Sequence, residues 1–135
     1  MKQRFDLVPS LRGVAVVLCT LLAALTLTAC GAIADLGTMS DTGESFMQAL
    51  KANDNATSYK MLSTTLQSQI GGEQGWATFT TPRVPTTWNF STKEINNGQG
   101  HLEGNASFAN GQNLTVSLVL NKEATDWKVS GIDIH

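Results

Sequence analysis

Asn113-Leu114-Thr115-Val116-Ser117-Leu118-Val119-Leu120 carries the cleanest alternation in the chain. Leu114, Val116, Leu118 and Leu120 fall on one side of an extended backbone, and Asn113, Thr115 and Ser117 on the other. A sustained period of two describes a half-buried strand, because successive side chains leave opposite faces of a pleated sheet. Upstream, Ala109-Asn110-Gly111 is a turn of the kind hairpins favour, and Leu102, Ala106 and Phe108 alternate before it. Asn96-Asn97-Gly98 supplies the preceding turn, with Trp88 and Phe90 alternating among polar residues ahead of that. Downstream the chain turns again over 121–125, and Trp127 and Val129 open a last strand. Ile132 and Ile134 have the opposite parity to Trp127, which predicts a bulge near Ser130-Gly131. The pattern is an antiparallel meander of about four strands.

Before residue 80 the period changes. Ala56, Tyr59, Leu62, Leu66 and Ile70 recur at three and four, the spacing of one buried helical face. Asp54 or Asn55 is placed to cap that helix, and Gly71-Gly72 to end it. Glu73 to Phe79, with Trp76 and Phe79 three apart, reads as one further helical turn. Pro82 and Pro85 then mark an irregular crossing to the sheet. Further upstream, Asp41 and Glu44 have the spacing of a capping box, so a first helix is expected to start there and stop near Ala52-Asn53. Phe46, Met47 and Leu50 lie on its inner face. Helices followed by an antiparallel sheet make an α+β layer arrangement.

The N-terminus has a different character. Lys2, Arg4 and Arg12 face a single Asp6, and residues 13–29 carry no charge. This is the charged, apolar, then small-residue order of an export signal. As a span it would sit at the short end of the roughly 17–25 residues needed to cross a hydrocarbon core. The apolar run closes on Leu27-Thr28-Ala29-Cys30, an aliphatic residue and two small ones before a cysteine. That is the pattern of a bacterial lipobox. A thiol accepts diacylglycerol, and small residues let the peptidase reach the bond between Ala29 and Cys30. Cys19 lacks this setting, because bulky Leu18 precedes it. The alternative is a plain secretory signal in which Cys30 is incidental. The division expected is therefore a signal peptide over 1–29, the lipidated Cys30 and a short tether over 30–40, and a single α+β domain over 41–135.

After Cys30 about a hundred residues remain, enough for one domain with a modest core. The chain has eleven acidic and nine basic residues, and removing Asp6, Lys2, Arg4 and Arg12 with the signal leaves ten against six. No basic stripe survives, which argues against nucleic acid as a partner. With Cys19 removed and Cys30 acylated, neither of the two cysteines is left for a disulfide or a thiolate metal site. Asn-x-Ser/Thr triplets begin at Asn55, Asn89, Asn105 and Asn113; a chain this rich in Asn, Ser and Thr yields them by chance.

The helix pair bearing Phe46, Leu50, Asp54, Tyr59 and Leu62, followed by a sheet ending in Trp127-Lys128-Val129, resembles the nuclear-transport-factor-2-like superfamily. It is most similar to the small secreted bacterial lipoproteins of that group. The resemblance covers roughly residues 40–135 and rests on element order rather than an invariant motif. It implies a curved sheet wrapped around the helices as a cone, often with a pocket at the open end, and commonly a homodimer through the open sheet face. A cystatin-like helix-on-sheet domain and a small β-sandwich with a helical preface are the competing folds.

Enzymes on such a cone set an Asp or His base and a second polar group in an apolar cavity, where desolvation moves their pKa toward the working range. Candidates here are few. His101 is out of phase with Leu102 and falls on the solvent face with Glu103, and His135 is terminal. Asp54 reads as a helix cap, and Asp126 and Asp133 belong to polar faces. Tyr59 lies on an apolar face, with its hydroxyl expected at the cavity rim and no buried acid beside it. No catalytic residue, metal cluster or cofactor is assigned. Phe46, Leu50, Tyr59, Leu62, Trp76, Trp88, Phe90 and Trp127 are the residues expected to line any pocket, or to fill the core instead. Gly71-Gly72-Glu73-Gln74-Gly75 and Gly98-Gln99-Gly100 lack the setting of phosphate loops, and turn chemistry accounts for them.

These readings describe a lipid-anchored lipoprotein on the extracytoplasmic face of a cell or outer membrane. Its domain is expected to be a non-enzymatic binding or accessory module at the envelope, presented to a partner protein or small ligand, with a pocket for an apolar molecule as the alternative. An isomerase- or hydrolase-like enzyme ranks lower. Two acyl chains anchor stably where one does so only marginally. Replacing Cys30 by Ser is therefore expected to move the protein from the membrane to the soluble fraction in a fractionation assay.

Overall fold

The computed structural model describes the backbone of residues 11–135 and the side chains of residues 31–135. Leu27, Thr28, Ala29, Cys30 and Cys19 lie outside the described side chains, and the signal reading rests on sequence alone. Among the described residues no helix is long and apolar enough to cross a membrane. The chain divides into two units, Met1–Ala34 and Asp35–His135. In the first, the described backbone is helical. The second holds the core and the sheet.

Helix α1 spans Leu11–Lys51, followed by α2 (Asn55–Lys60), α3 (Thr64–Ile70) and α4 (Glu73–Thr80). Four strands complete the chain: β1 (Pro85–Asn96), β2 (Gln99–Phe108), β3 (Asn113–Glu123) and β4 (Asp126–Ile134). They form one antiparallel sheet in the order β1-β2-β3-β4, the meander that the alternating segments require. The turns fall where expected, with positive φ at Asn97, Gly98 and Gly111.

The capping box at Asp41 is not a helix start. Residues 31–40 are helical, and Met39 and Ser40 are buried. Met39, Gly43, Phe46 and Leu50 follow one another at three and four, so the inner stripe runs through Asp41 without a break. Glu44 is engaged elsewhere, accepting a 2.7 Å hydrogen bond from Trp88 Nε1. At the other end the expectation holds, because Asn53 turns left-handed at φ 54° and α1 stops.

The single helix expected over 54–70 is two helices. Asp54 caps the first, its Oδ1 accepting from the Thr57 amide at 3.0 Å. The chain then leaves helical geometry at Leu62, which pairs in parallel with Val129 of β4. The Ser63 amide donates to Val129 O at 2.8 Å, and the Val129 amide donates to Met61 O at 2.9 Å. Ser63 restarts the helix, its Oγ accepting from the Leu66 amide at 3.2 Å. A short segment thus covers part of the edge strand, whose unpaired backbone groups would otherwise face solvent. Helical spacing continues across the break, so periodicity alone does not reveal it. Gly71, at φ 78°, ends α3 as anticipated. Helix α4 is a full element rather than a single turn, and Pro85 is the first residue of β1, a position that needs no amide donor.

The bulge at the end of the sheet is present. Leu120 pairs with Val129 and Val119 with Gly131, which leaves Ser130 as the extra residue. Ile132 and Ile134 are thereby returned to the face that carries Trp127 and Val129. The core lies between this face and the helices, built from Met39, Phe46, Met47, Leu62, Trp76, Leu102, Val116, Leu118, Leu120 and Val129. Trp76 is buried within it and satisfies its indole N–H by donating to Ser58 Oγ at 2.8 Å.

Gly104 sits where β1 bulges over β2, between Phe90 and Thr92. A Cβ there would run into the Asn89 carbonyl and lie 2.8 Å from Phe90 Cα, both rigid backbone. At Gly131 the nearest atom to an added Cβ is Val119 Cβ at 3.5 Å. Gly104→Ala is therefore expected to cost at least about 2 kcal/mol, the scale of overpacking strain. Gly131→Ala should stay within about 1 kcal/mol of wild type. Urea denaturation of the two variants makes the comparison.

Candidate functional site

An apolar cleft of about 430 Å³ opens between α3, α4 and β4. Leu66 and Ile70 come from α3, Trp76 and Phe79 from α4, and Ile132 from β4, with Gly75 and Gly131 completing the wall. Its construction follows from three local features. The left-handed Gly71-Gly72 pair reverses the chain so that α4 returns beside α3. Gly75 permits their close approach, since a Cβ there would collide with Ile70 O. The Ser130 bulge brings Ile132 to the inner face. Trp76 stacks on Phe79, with ring centroids 5.4 Å apart and planes at 21°, and Phe46 backs Trp76 at 5.9 Å. Among the described residues no ionisable side chain lines the cleft. Its size lies within the usual 300–1,000 Å³ of small-molecule sites, which are mostly apolar.

The residues expected to line a pocket are distributed unevenly. Phe46, Leu50, Leu62 and Phe90 are buried in the core. Trp76 is both a core residue and a wall of the cleft. Tyr59 is half-buried against the core, its hydroxyl donating a long 3.4 Å hydrogen bond to Gln67 O. Trp88 is half-buried and edges a polar hollow with Asn89, Asn105, Ser107, Asn113 and Thr115. Trp127 is buried beside a separate hollow formed with Asp35, Thr38, Thr42 and Met61, and its Nε1 has no hydrogen-bond partner among the described residues. The structure does not gather these eight around one pocket; six fill the core and Tyr59 and Trp88 pack against it, the core-filling alternative of the sequence reading. Leu66, Ile70, Phe79 and Ile132 make the cleft, and they were legible as face residues but not as neighbours. The parity switch at Ile132 was the one signal pointing to them.

The ionisable candidates stand apart from the cleft. His101 Nε2 lies 3.5 Å from Glu103 Oε2 on the outer face of the sheet, and His135 Nδ1 lies 3.4 Å from Asp133 Oδ2. Asp126 and Asp133 are exposed. Among the described residues no three His, Cys, Asp or Glu side chains are grouped to hold a metal ion. Among the described residues, Asp54 is the one titratable group whose pKa clearly moves. The Thr57 backbone N–H, donating to its carboxylate, holds it below the ordinary value, with the Thr57 hydroxyl and Lys60 assisting.

Comparison with known proteins addresses the fold. A scan against protein-family models finds no match, and a comparison with curated proteins finds none. Among solved structures, the protein titled Rd1NTF2_05, carrying five substitutions, is similar with a TM-score of 0.53 at 7% identity. The match covers 68% of this chain and 91% of that one. A crystal structure of a protein from Sphaerobacter thermophilus aligns with a TM-score of 0.48 at 10% identity, over 73% of this chain and 96% of the other. The fold is the nuclear-transport-factor-2-like α+β cone, with helices followed by an open four-stranded antiparallel sheet.

A carboxylate with a depressed pKa contributes stability above its unfolded value and loses it as the pH falls through the folded one. Asp54→Ala is accordingly expected to lower the melting temperature at neutral pH. The gap to wild type should close as the pH drops into the carboxylate range, followed by circular dichroism.

Proposed function

We propose that this chain is a lipid-anchored extracytoplasmic lipoprotein whose domain binds a small apolar molecule and performs no chemistry on it. The anchor reading is supported by the basic N-terminus, the uncharged run and Leu27-Thr28-Ala29-Cys30. The binding reading is carried by one observation, a cleft walled by Leu66, Ile70, Trp76, Phe79 and Ile132 without an ionisable group. Acid–base catalysis needs a proton donor or acceptor within hydrogen-bond reach of the reacting atom, directly or through one water. His101, His135 and Asp54 are committed to the outer sheet face, the C-terminus and a helix cap. An apolar ligand instead gains from area removed from water, about 25 cal/mol per Å².

The Cys30→Ser protein, free of detergent, is the reagent for a direct test. It should take up a neutral naphthylamine dye with blue-shifted emission and energy transfer from tryptophan. Ile132→Ser should weaken uptake roughly tenfold, the scale of removing a partly buried aliphatic side chain. Val119→Ser, on the outer sheet face, should leave it unchanged. Absence of dye uptake by a folded protein, or equal loss in both variants, would count against the cleft as a ligand site.

A further inference from the structure

Phe79 joins the apolar cleft to the one arginine of the folded unit. Its ring walls the cleft, and Arg83 Cζ lies 4.5 Å from the ring centroid. Arg83 is also anchored by its backbone neighbourhood: Nη1 donates to Phe79 O at 2.8 Å, and its own amide donates to Thr80 O at 2.7 Å. The guanidinium is therefore held against the ring of Phe79, next to the cleft although not among its lining residues. A guanidinium has five N–H donors in a rigid fork, and most remain available. The ion pairs among the described residues involve His101, Lys122 and His135, not Arg83.

The surroundings extend the same arrangement. Ile134 follows Ile132 at a spacing of two on β4, and with Phe108, Leu114 and Pro82 it forms a second hollow of about 340 Å³ that Arg83 also edges. Asn110 and Gln112 lie on its rim, and no carboxylate lines either hollow. A single positive charge thus stands beside a run of apolar wall, with the side-chain amides of Asn110 and Gln112 nearby.

We infer that the cleft takes a single-chain amphiphile with a carboxylate head, its alkyl chain between α3, α4 and β4 and its head on Arg83. This rests on the reading of the cleft as an apolar ligand site. Guanidinium matches carboxylate in a planar, two-bond geometry, is weakly hydrated, and stacks on aromatic rings without losing its charge. Phe79 supplies that ring. The tail provides affinity, with each buried methylene worth about a threefold to fourfold gain. The head provides selection: a charge-assisted pair at an exposed arginine discriminates about fivefold against a neutral head.

Photolabelling of the membrane-purified protein in phosphatidylcholine nanodiscs tests this. One probe is a diazirine-bearing hexadecanoate and the other is the matching alcohol, with labelled peptides mapped by mass spectrometry. Label is expected on the segment 66–79, with the carboxylate favoured about fivefold. Arg83→Gln should bring the ratio of the two probes to about one, and Arg83→Lys should keep part of the preference. Label in the cleft with a ratio near one in the wild type, or a ratio unchanged by Arg83→Gln, would overturn the head-group assignment and leave the apolar cleft standing. Absence of label from 66–79 with both probes would overturn both. Should Arg83→Gln fold poorly, the ratio of the two probes on the wild-type protein decides the outcome.

Discussion

Helix α1 and the sheet are locked together by a reciprocal exchange of side chain and space. Leu102 of β2 occupies the room left by Gly43 of α1, and Met39 of α1 occupies the room left by Gly100 of β2. A Cβ at Gly43 would run into Leu102, and one at Gly100 would lie 2.6 Å from Met39 Cγ and 3.4 Å from Trp127 Cζ3. Cores pack at crystal-like density, so knobs of this size need matching gaps. The interlock sets the distance between helix and sheet. Phe46, Leu118 and Leu120 can then all be buried in the same layer.

The cleft is a consequence of that fixed spacing together with the way the edge of the sheet is treated. Strand β4 is an edge, and the Leu62 segment pairs with only part of it. Beyond Val129 the strand bulges, and α3 and α4 lean over its far end without closing on it. Ile132 and Phe79 are left half-buried with a hollow between them. Bulges gather at sheet edges and next to binding sites because they redirect side chains locally. Here the bulge keeps Ile132 on the inner face, where it becomes cleft wall.

Polarity divides the molecule in the same manner. The inner face of the sheet is largely apolar, with Phe90, Phe108 and Trp127 among its aliphatic residues, whereas His101, Glu103, Asn105, Ser107, Thr115 and Ser117 occupy the outer one. Among the described residues, titratable groups lie on that outer face, at helix caps, and at the margin between α1 and the sheet, where Lys93 reaches Ser40 and Lys122 reaches Asp35. Proton transfer draws on desolvated acids and bases, and among the described residues the cleft is lined by none. Arg83 lies against the ring of Phe79, one of the cleft residues.

Much of the fold was legible because strand alternation depends only on neighbours along the chain. Residues 113–120 announced a strand, Asn97-Gly98 and Asn110-Gly111 announced the turns, and the parity of Ile132 announced the bulge. Helix limits were less legible. Whether Asp41 caps a helix depends on whether Met39 is buried, and Gly100, sixty-one positions away, decides that. The break at Leu62 likewise depends on Val129, a partner that helical periodicity does not register. For the site, the aromatic residues were visible but their grouping was not. Local sequence determined the element types, the turns and the candidate anchor at Cys30. The tertiary structure alone decided which apolar residues fill the core and which line the cleft, because burial is a property of contacts between segments distant in the chain.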